Sequence, residues 1–334
     1  MKIFTLTFLL FFTFSTTLFG KTNSSTYNIV GKDADSVIIK DLSKNTMIYK
    51  KDENKVLRPA SLTKIMTCML AIESGKMNKV VTITKPMTQV EPTKLDLKVG
   101  DQVKLRDLVH AALIKSANDA AFAIAYYLGN NDKEKFIAMM NKKAKRLGMR
   151  KTNFVNPAGF DESKHKSTAK DLMKLAEYAI KNKTFNSIVK LNHYSFNTLN
   201  TNKKFSVYTS NKLQRENKYV VGLKTGYTSG AGACLIARAK KDKKDILLVM
   251  LNADNRWKNA KYAVAEAIKT TKESGQKRKI AFNKSVKHNS KTKLAFNKKA
   301  KQNKNKNKIA SNKSNKNSKV KVALNSNNDK KDKS

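Results

Sequence analysis

A serine and a lysine three positions apart are the first residues in this chain whose types and spacing could do chemistry. Pro59-Ala-Ser61-Leu-Thr-Lys64 opens a stretch, 61–75, in which Leu62, Ile65, Met66, Met69 and Ile72 recur at helical spacing. Residues i and i+3 share a helix face, so Ser61 and Lys64 can enter one cleft from the first turn. A serine hydroxyl is a poor nucleophile until a base takes its proton, and a desolvated lysine near other cations can be that base. Backbone N–H groups at the helix start could hold a developing oxyanion beside Ser61. In a chain with 69 Lys and Arg the same spacing also describes a capping serine next to a solvated lysine.

Two further sites weigh against that plainer description. Ser116-Ala-Asn118 offers a hydroxyl and a carboxamide two residues apart, and Lys224-Thr-Gly226 offers a cation, a hydroxyl and a glycine that lets substrate backbone approach closely.

The elements that must position these residues are legible in outline. Residues 37–39 and 47–49, separated by the polar 41–45, read as a hairpin. Helices are expected over 61–75, 103–115, 119–128, 132–147 and 168–181. Lys115-Ser116-Ala117-Asn118 forms a junction, and Thr168 caps the last of these helices. Strands follow at 219–224, 233–239 and 246–252, with Ser229-Gly-Ala-Gly232 as a turn, before a final helix at 258–270. The Lys-Thr-Gly triplet is placed at the end of the first of these strands. Strands first, helices in the middle and strands last predict an α/β (α+β) fold: an antiparallel sheet closed by both ends of the chain, with a helical block packed on it.

The ordered trio Ser-x-x-Lys, Ser-x-Asn, Lys-Thr-Gly resembles the pattern of penicillin-binding proteins and serine β-lactamases. Residues 27 to about 267 resemble more specifically the low-molecular-mass penicillin-binding proteins that are serine-type D-alanyl-D-alanine carboxypeptidases. The resemblance runs through Pro59-Ala-Ser-Leu-Thr-Lys-Ile-Met-Thr67, Leu97-Lys-Val-Gly-Asp101, Asp107-Leu-Val-His-Ala-Ala-Leu-Ile-Lys-Ser-Ala-Asn-Asp-Ala-Ala121, Met140-Asn-Lys-Lys-Ala144, Phe154-Val-Asn-Pro-Ala-Gly159, His165-Lys-Ser-Thr-Ala-Lys-Asp171 and Gly222-Leu-Lys-Thr-Gly-Tyr-Thr228. It implies the transpeptidase fold shared with serine β-lactamases. It also implies Ser61 as the acylated nucleophile, Lys64 as its base, Ser116 as a proton relay to the leaving amine, and Asn118 as a ligand of the substrate amide that helps hold Lys64. Lys224 and Thr225 would bind the terminal carboxylate on a strand continued by Gly226, Tyr227 and Thr228, and the N–H groups of Ser61 and Tyr227 would form the oxyanion hole. The implied partners are peptidoglycan pentapeptide as substrate and β-lactams as covalent inhibitors, with no cofactor and no metal.

Departures from the family pattern are local. Ala117 stands where glycine is usual, so a methyl group is expected to trim the cleft. Asn156-Pro-Ala-Gly-Phe160 replaces Asn-Pro-His-Gly-Leu, which bears on substrate selection, and Tyr227 replaces a common histidine. His165 is expected to be structural, bonded beside Ser167 and Thr168. Cys68 and Cys234 are expected as buried free thiols. A serine β-lactamase stays open as an alternative, yet Glu162 and Glu177, the only glutamates between residues 137 and 215, lack a Glu-x-x-x-Asn context. Deacylation from β-lactams should therefore be slow.

Composition bounds the rest. The chain has 334 residues, a net charge of +44 and two cysteines, which excludes a disulfide framework, and its dense apolar segments exclude uniform disorder. Lys2 followed by the apolar stretch 3–20 reads as a signal peptide, residues 1–20, with an uncleaved anchor as the alternative. Export to the periplasm or cell envelope follows and argues against a nucleic-acid partner. The catalytic domain is assigned to 21–270. Residues 271–334 carry 21 Lys and Arg, three acidic residues and 12 Asn in imperfect repeats such as Lys279-Ile-Ala-Phe-Asn283. They read as a disordered polycationic tail that could bind an anionic membrane or wall polymer, giving peripheral membrane association in place of the family's amphipathic anchor. A basic wall-binding protein without activity is the third reading, resting on charge alone.

Overall fold

A computed structural model of the chain describes residues 31–269. The signal segment 1–20 and the basic tail 271–334 lie outside the described residues. Among the described residues no helix is long and apolar enough to cross a membrane.

In chain order the strands are β1 Ala34–Asp41, β2 Thr46–Lys51, β3 Val80–Thr82, β4 Gln102–Lys104, β5 His193–Asn197, β6 Lys204–Tyr208, β7 Val220–Thr228, β8 Gly232–Lys241 and β9 Lys244–Ala253. The helices are α1 Lys64–Glu73, preceded by the 3-10 turn Ala60–Thr63, α2 Lys85–Thr88, α3 Leu105–Ile114, α4 Asn118–Leu128, α5 Lys133–Arg146, α6 Ala169–Ala179, α7 Lys183–Val189, α8 Lys212–Glu216 and α9 Arg256–Ile268. The main sheet is antiparallel in the order β2-β1-β9-β8-β7, so both ends of the chain close it as the sequence predicts. The β1–β2 turn is held by Asp41, whose carboxylate accepts from the Ser43 N–H (3.0 Å) and the Ser43 hydroxyl (2.5 Å).

Successive strand residues point to opposite faces, and here both faces are covered. Ile38, Cys234, Ile236, Leu247, Val249 and Leu251 join the helical block around α1, whereas Val37, Ile39, Leu235, Ala237, Leu248 and Met250 pack with Ala260, Ala263 and Val264 of α9. Two-sided burial explains why β9 reads as the unbroken apolar run Ile246 to Leu251. Helix α1 is buried from Lys64 to Ala71 and is the centre of the helical block. The helix caps follow the sequence: Asp132 accepts from Glu134 and Lys135 N–H groups, and Thr168 from that of Asp171.

Four differences from the sequence reading stand out. Helix α3 begins at Leu105, because Val103 belongs to the short β3–β4 pair. Lys224-Thr-Gly226 lies inside β7, which runs on to Thr228, and the final helix starts at Arg256. The hairpin β5–β6 is new relative to the sequence reading.

Candidate active site

Ser61 sits in the 3-10 turn and Lys64 is the first residue of α1. Side chains three apart eclipse in a 3-10 turn, which brings Lys64 Nζ to 2.7 Å from Ser61 Oγ. The same nitrogen lies 2.7 Å from Asn118 Oδ1 and 2.8 Å from the Ala158 carbonyl oxygen. The Asn118 amide is fixed in this sense because its Nδ2 donates to the Glu91 carbonyl (2.8 Å). Both oxygens can only accept. A neutral amine has two protons and one lone pair, so its protons serve Asn118 and Ala158 and its lone pair is left for the Ser61 O–H. Lys64 is fully buried. Burial first, and the neighbouring Lys224 second, hold its pKa well below the ordinary 10.5.

The backbone around Ser61 is clamped from several sides. Ala60 has a φ of +48°, outside the ordinary L-residue regions. Gly159, at φ +93°, closes over it so tightly that an added Cβ would stand 1.9 Å from the Ala60 carbonyl oxygen. The Gly159 loop is held by Asn156 Oδ1, which accepts from the N–H groups of Ala158 (3.2 Å), Gly159 (2.6 Å) and Phe160 (3.0 Å), and by the Thr67 hydroxyl donating to the Pro157 carbonyl (2.7 Å). His165 completes the clamp. Val155 N–H donates to its Nδ1 (3.1 Å), so Nε2 carries the proton and donates to Thr63 Oγ1 (2.8 Å), whose hydroxyl donates to the Ala60 carbonyl (2.8 Å). Burial pushes the His165 pKa down to about 4, so the ring is neutral near pH 7. His165 thus bonds Thr63, 102 positions away, and the nearby Val155.

Ser116 occupies the α3–α4 junction at φ +71° and is half-buried, with no side-chain hydrogen bond among the described residues. Ala117 has an ordinary φ of −61° and is fully buried, so this position does not require the conformational freedom of glycine. Strand β7 is an edge strand that packs on the 3-10 turn. Gly226 makes this possible, since a Cβ there would meet Ala60 Cβ and Ser61 N at 3.0 Å. Lys224 is 1 % exposed and donates to the Thr225 carbonyl (2.9 Å), while Thr225 Oγ1 lies 2.7 Å from Ser210 Oγ. The Tyr227 side chain is exposed. The Thr228 hydroxyl donates to Asp161 (2.7 Å), which also accepts from Gly230 N–H (2.7 Å). Arg256 reaches from α9 to the carbonyls of Gly226 and Cys234.

Burial brings the Lys224 pKa down to about 7, with the Arg256 charge adding to the effect. The unfolded chain keeps this proton up to pH about 10.4, so between about 7 and 10.4 the unfolded state binds more protons and stability rises with pH. The penalty is fully present below pH 7. Lys224→Met is therefore expected to gain on the parent most at low pH, the difference closing by about 1.4 kcal/mol per pH unit above 7. Urea midpoints at about pH 6, 8 and 9.5 check this, and a difference independent of pH contradicts it.

All of the sequence-predicted site residues fall on the α1 start, the α3–α4 junction and β7, and Ser61, Lys64 and Asn118 touch directly. The sequence reading missed the Ala158 and Glu91 carbonyls, Ser210, Asp161 and Arg256. Only the first left a signal, the Asn156-Pro157 turn. Cys68 and Cys234 are buried and free, as expected.

A sequence model of the D-alanyl-D-alanine carboxypeptidase family matches residues 22–255. D-alanyl-D-alanine carboxypeptidase DacF of Bacillus subtilis (strain 168) is 33% identical over 248 residues, 72% of this chain and 63% of that protein. The chain thus spans less than two thirds of that relative's length. The DD-transpeptidase of Streptomyces K15 superposes with a TM-score of 0.67 at 26% identity, covering 70% of this chain and 97% of the other. Penicillin-binding protein D2 of Listeria monocytogenes, solved with ampicillin bound, gives 0.62 at 27% identity, covering 71% and 98%.

Proposed function

The chain belongs to the D-alanyl-D-alanine carboxypeptidase family, and from that premise we propose that it removes the terminal D-alanine from peptidoglycan stem peptides through an acyl-enzyme on Ser61. The placement of Lys64 Nζ among Ser61 Oγ, Asn118 Oδ1 and the Ala158 carbonyl carries this reading. Neutral Lys64 takes the Ser61 proton as Oγ attacks the carbonyl carbon between the two D-alanines, and the N–H groups of Ser61 and Tyr227 receive the oxyanion. Collapse breaks the C–N bond, and the proton passes through Ser116 to the leaving amine. Water then attacks the ester, giving a proton to Lys64, and Ser61 recovers its own. Asn118 bonds the substrate amide. Lys224 and Thr225 bind the free carboxylate, with Ser210 orienting the Thr225 hydroxyl, and Gly226, Tyr227 and Thr228 continue the strand the peptide joins.

β-Lactams acylate the same hydroxyl and leave slowly. Glu162 is bonded to Asn156 Nδ2 (2.8 Å) and Glu177 is paired with Lys40 (2.5 Å), so neither is offered as a deacylating base. Incubation with diacetyl-L-lysyl-D-alanyl-D-alanine is expected to release one D-alanine per peptide, with no release by Ser61→Ala. Fast penicillin hydrolysis without peptide cleavage would instead make this a β-lactamase, and neither reaction would leave a wall-binding protein. A crosslinked peptide in the same assay separates endopeptidase action.

Such a substrate places the protein in the cell envelope. Segment 1–20 would direct export and residues 271–334 would hold the protein to anionic lipid or wall polymer by charge. Deleting the tail is expected to release it from envelopes at low salt; envelope binding equal to the parent's at every salt concentration contradicts the tether.

A further inference from the structure

Two aromatic residues lie close in the chain to the partners of Lys64 and take no part in the chemistry above. Phe122 lies one helical turn beyond Asn118 on α4, at i+4, and so shares the face that presents Asn118 to Lys64. Phe160 lies two residues past Ala158, whose carbonyl receives Lys64, and Asn156 pins it at both backbone groups: Oδ1 accepts its N–H at 3.0 Å and Nδ2 donates to its carbonyl at 3.3 Å. The rings pair at 5.7 Å between centroids with a tilt of 35°. Both are half-buried, and neither packs with the two apolar cores. An aromatic pair that is partly open and outside the core keeps apolar surface accessible, here on the two segments that carry the partners of Lys64.

The polarity of the cleft says what would cover that surface. The terminal carboxylate of the substrate goes to Lys224 and Thr225 and the scissile carbonyl to Ser61, so the residue before the D-alanine pair extends toward Asn118 and Ala158. One extended residue is about 3.5 Å, so that residue leaves Ser61 on the side where α4 and the Asn156–Phe160 loop carry the rings. Ring faces offer apolar contact and no hydrogen-bond donor. We propose that Phe122 and Phe160 form a subsite for the unbranched methylene stem of a long side chain at that position, as in a diamino acid, with its terminal polar group left in water. This inference rests on the carboxypeptidase reading and adds a specificity element to it.

The test compares acetyl-L-norleucyl-D-alanyl-D-alanine with acetyl-L-alanyl-D-alanyl-D-alanine on the whole chain. The extra methylenes are expected to raise kcat/KM about tenfold or more in the parent, and the ratio should fall to about two or less in Phe160→Ala and in Phe122→Ala, with Phe160→Leu in between. A ratio is insensitive to the fraction of each variant that folds. A parent ratio near one, or the parent's ratio kept in both alanine variants, overturns the subsite alone. Cleavage of neither peptide by the parent overturns the carboxypeptidase reading and the subsite with it.

Discussion

Lys64→Met is expected to lower the rate of Ser61 acylation by benzylpenicillin by about three orders of magnitude, because general-base help of this kind is worth roughly 10²–10⁴ and no other side chain approaches Ser61 Oγ within hydrogen-bond reach among the described residues. Methionine fits the fully buried volume without a charge to desolvate. It leaves Asn118 Oδ1 and the Ala158 carbonyl without their donor, at about 1–3 kcal/mol each, against the relief of removing a buried amine. Burial holds the folded pKa of Lys64 well below 10.5, so the acylation rate of the parent should rise with pH through a value in that lowered range and level off once the amine is neutral. Stopped-flow acylation over a pH series reads both effects. A methionine variant that acylates at the parent's rate contradicts the role of Lys64.

Gly159→Ala should be the most damaging single methyl in the fold. The new carbon would overlap the Ala60 carbonyl oxygen at 1.9 Å and carbon at 2.3 Å, and it would stand 2.9 Å from Ser61 N. These are backbone atoms, so no side chain can swing away, and φ +93° adds strain for any residue but glycine. We expect at least about 3 kcal/mol of lost stability, and in whatever folds, a displaced Ser61 that acylates more than 100-fold slower. Gly100→Ala is the matched control. Its φ is +91°, but nothing lies within 4 Å of the added carbon, so only the conformational cost of about 1 kcal/mol remains. Equal thermal midpoints for the two variants would contradict the clamp.

Much of this site was legible because its reactive groups are side chains in short local patterns. Ser61 and Lys64 are three residues apart, Ser116 and Asn118 two, and these two sets stand at element boundaries that hydrophobic periodicity marks, whereas Lys224-Thr-Gly226 lies inside β7. The sheet was legible from β8 and β9, whose long apolar runs only a sheet covered on both faces would bury. The third partner of Lys64 was not, since it is a carbonyl and every residue has one. The role of His165 depended on Thr63, 102 positions away, and no local spacing reports such a pair. The β5–β6 hairpin has few buried residues, Phe196, Phe205 and Val207, too short an alternation to stand out from the polar sequence around it.

The most direct measurement is peptide mapping by mass spectrometry of the whole chain after reaction with benzylpenicillin. The account predicts one penicilloyl group per molecule, carried by the fragment containing Ser61, persisting for many minutes and absent from Ser61→Ala. A stable adduct on any other residue, or unmodified Ser61 in protein shown to be folded, would contradict it.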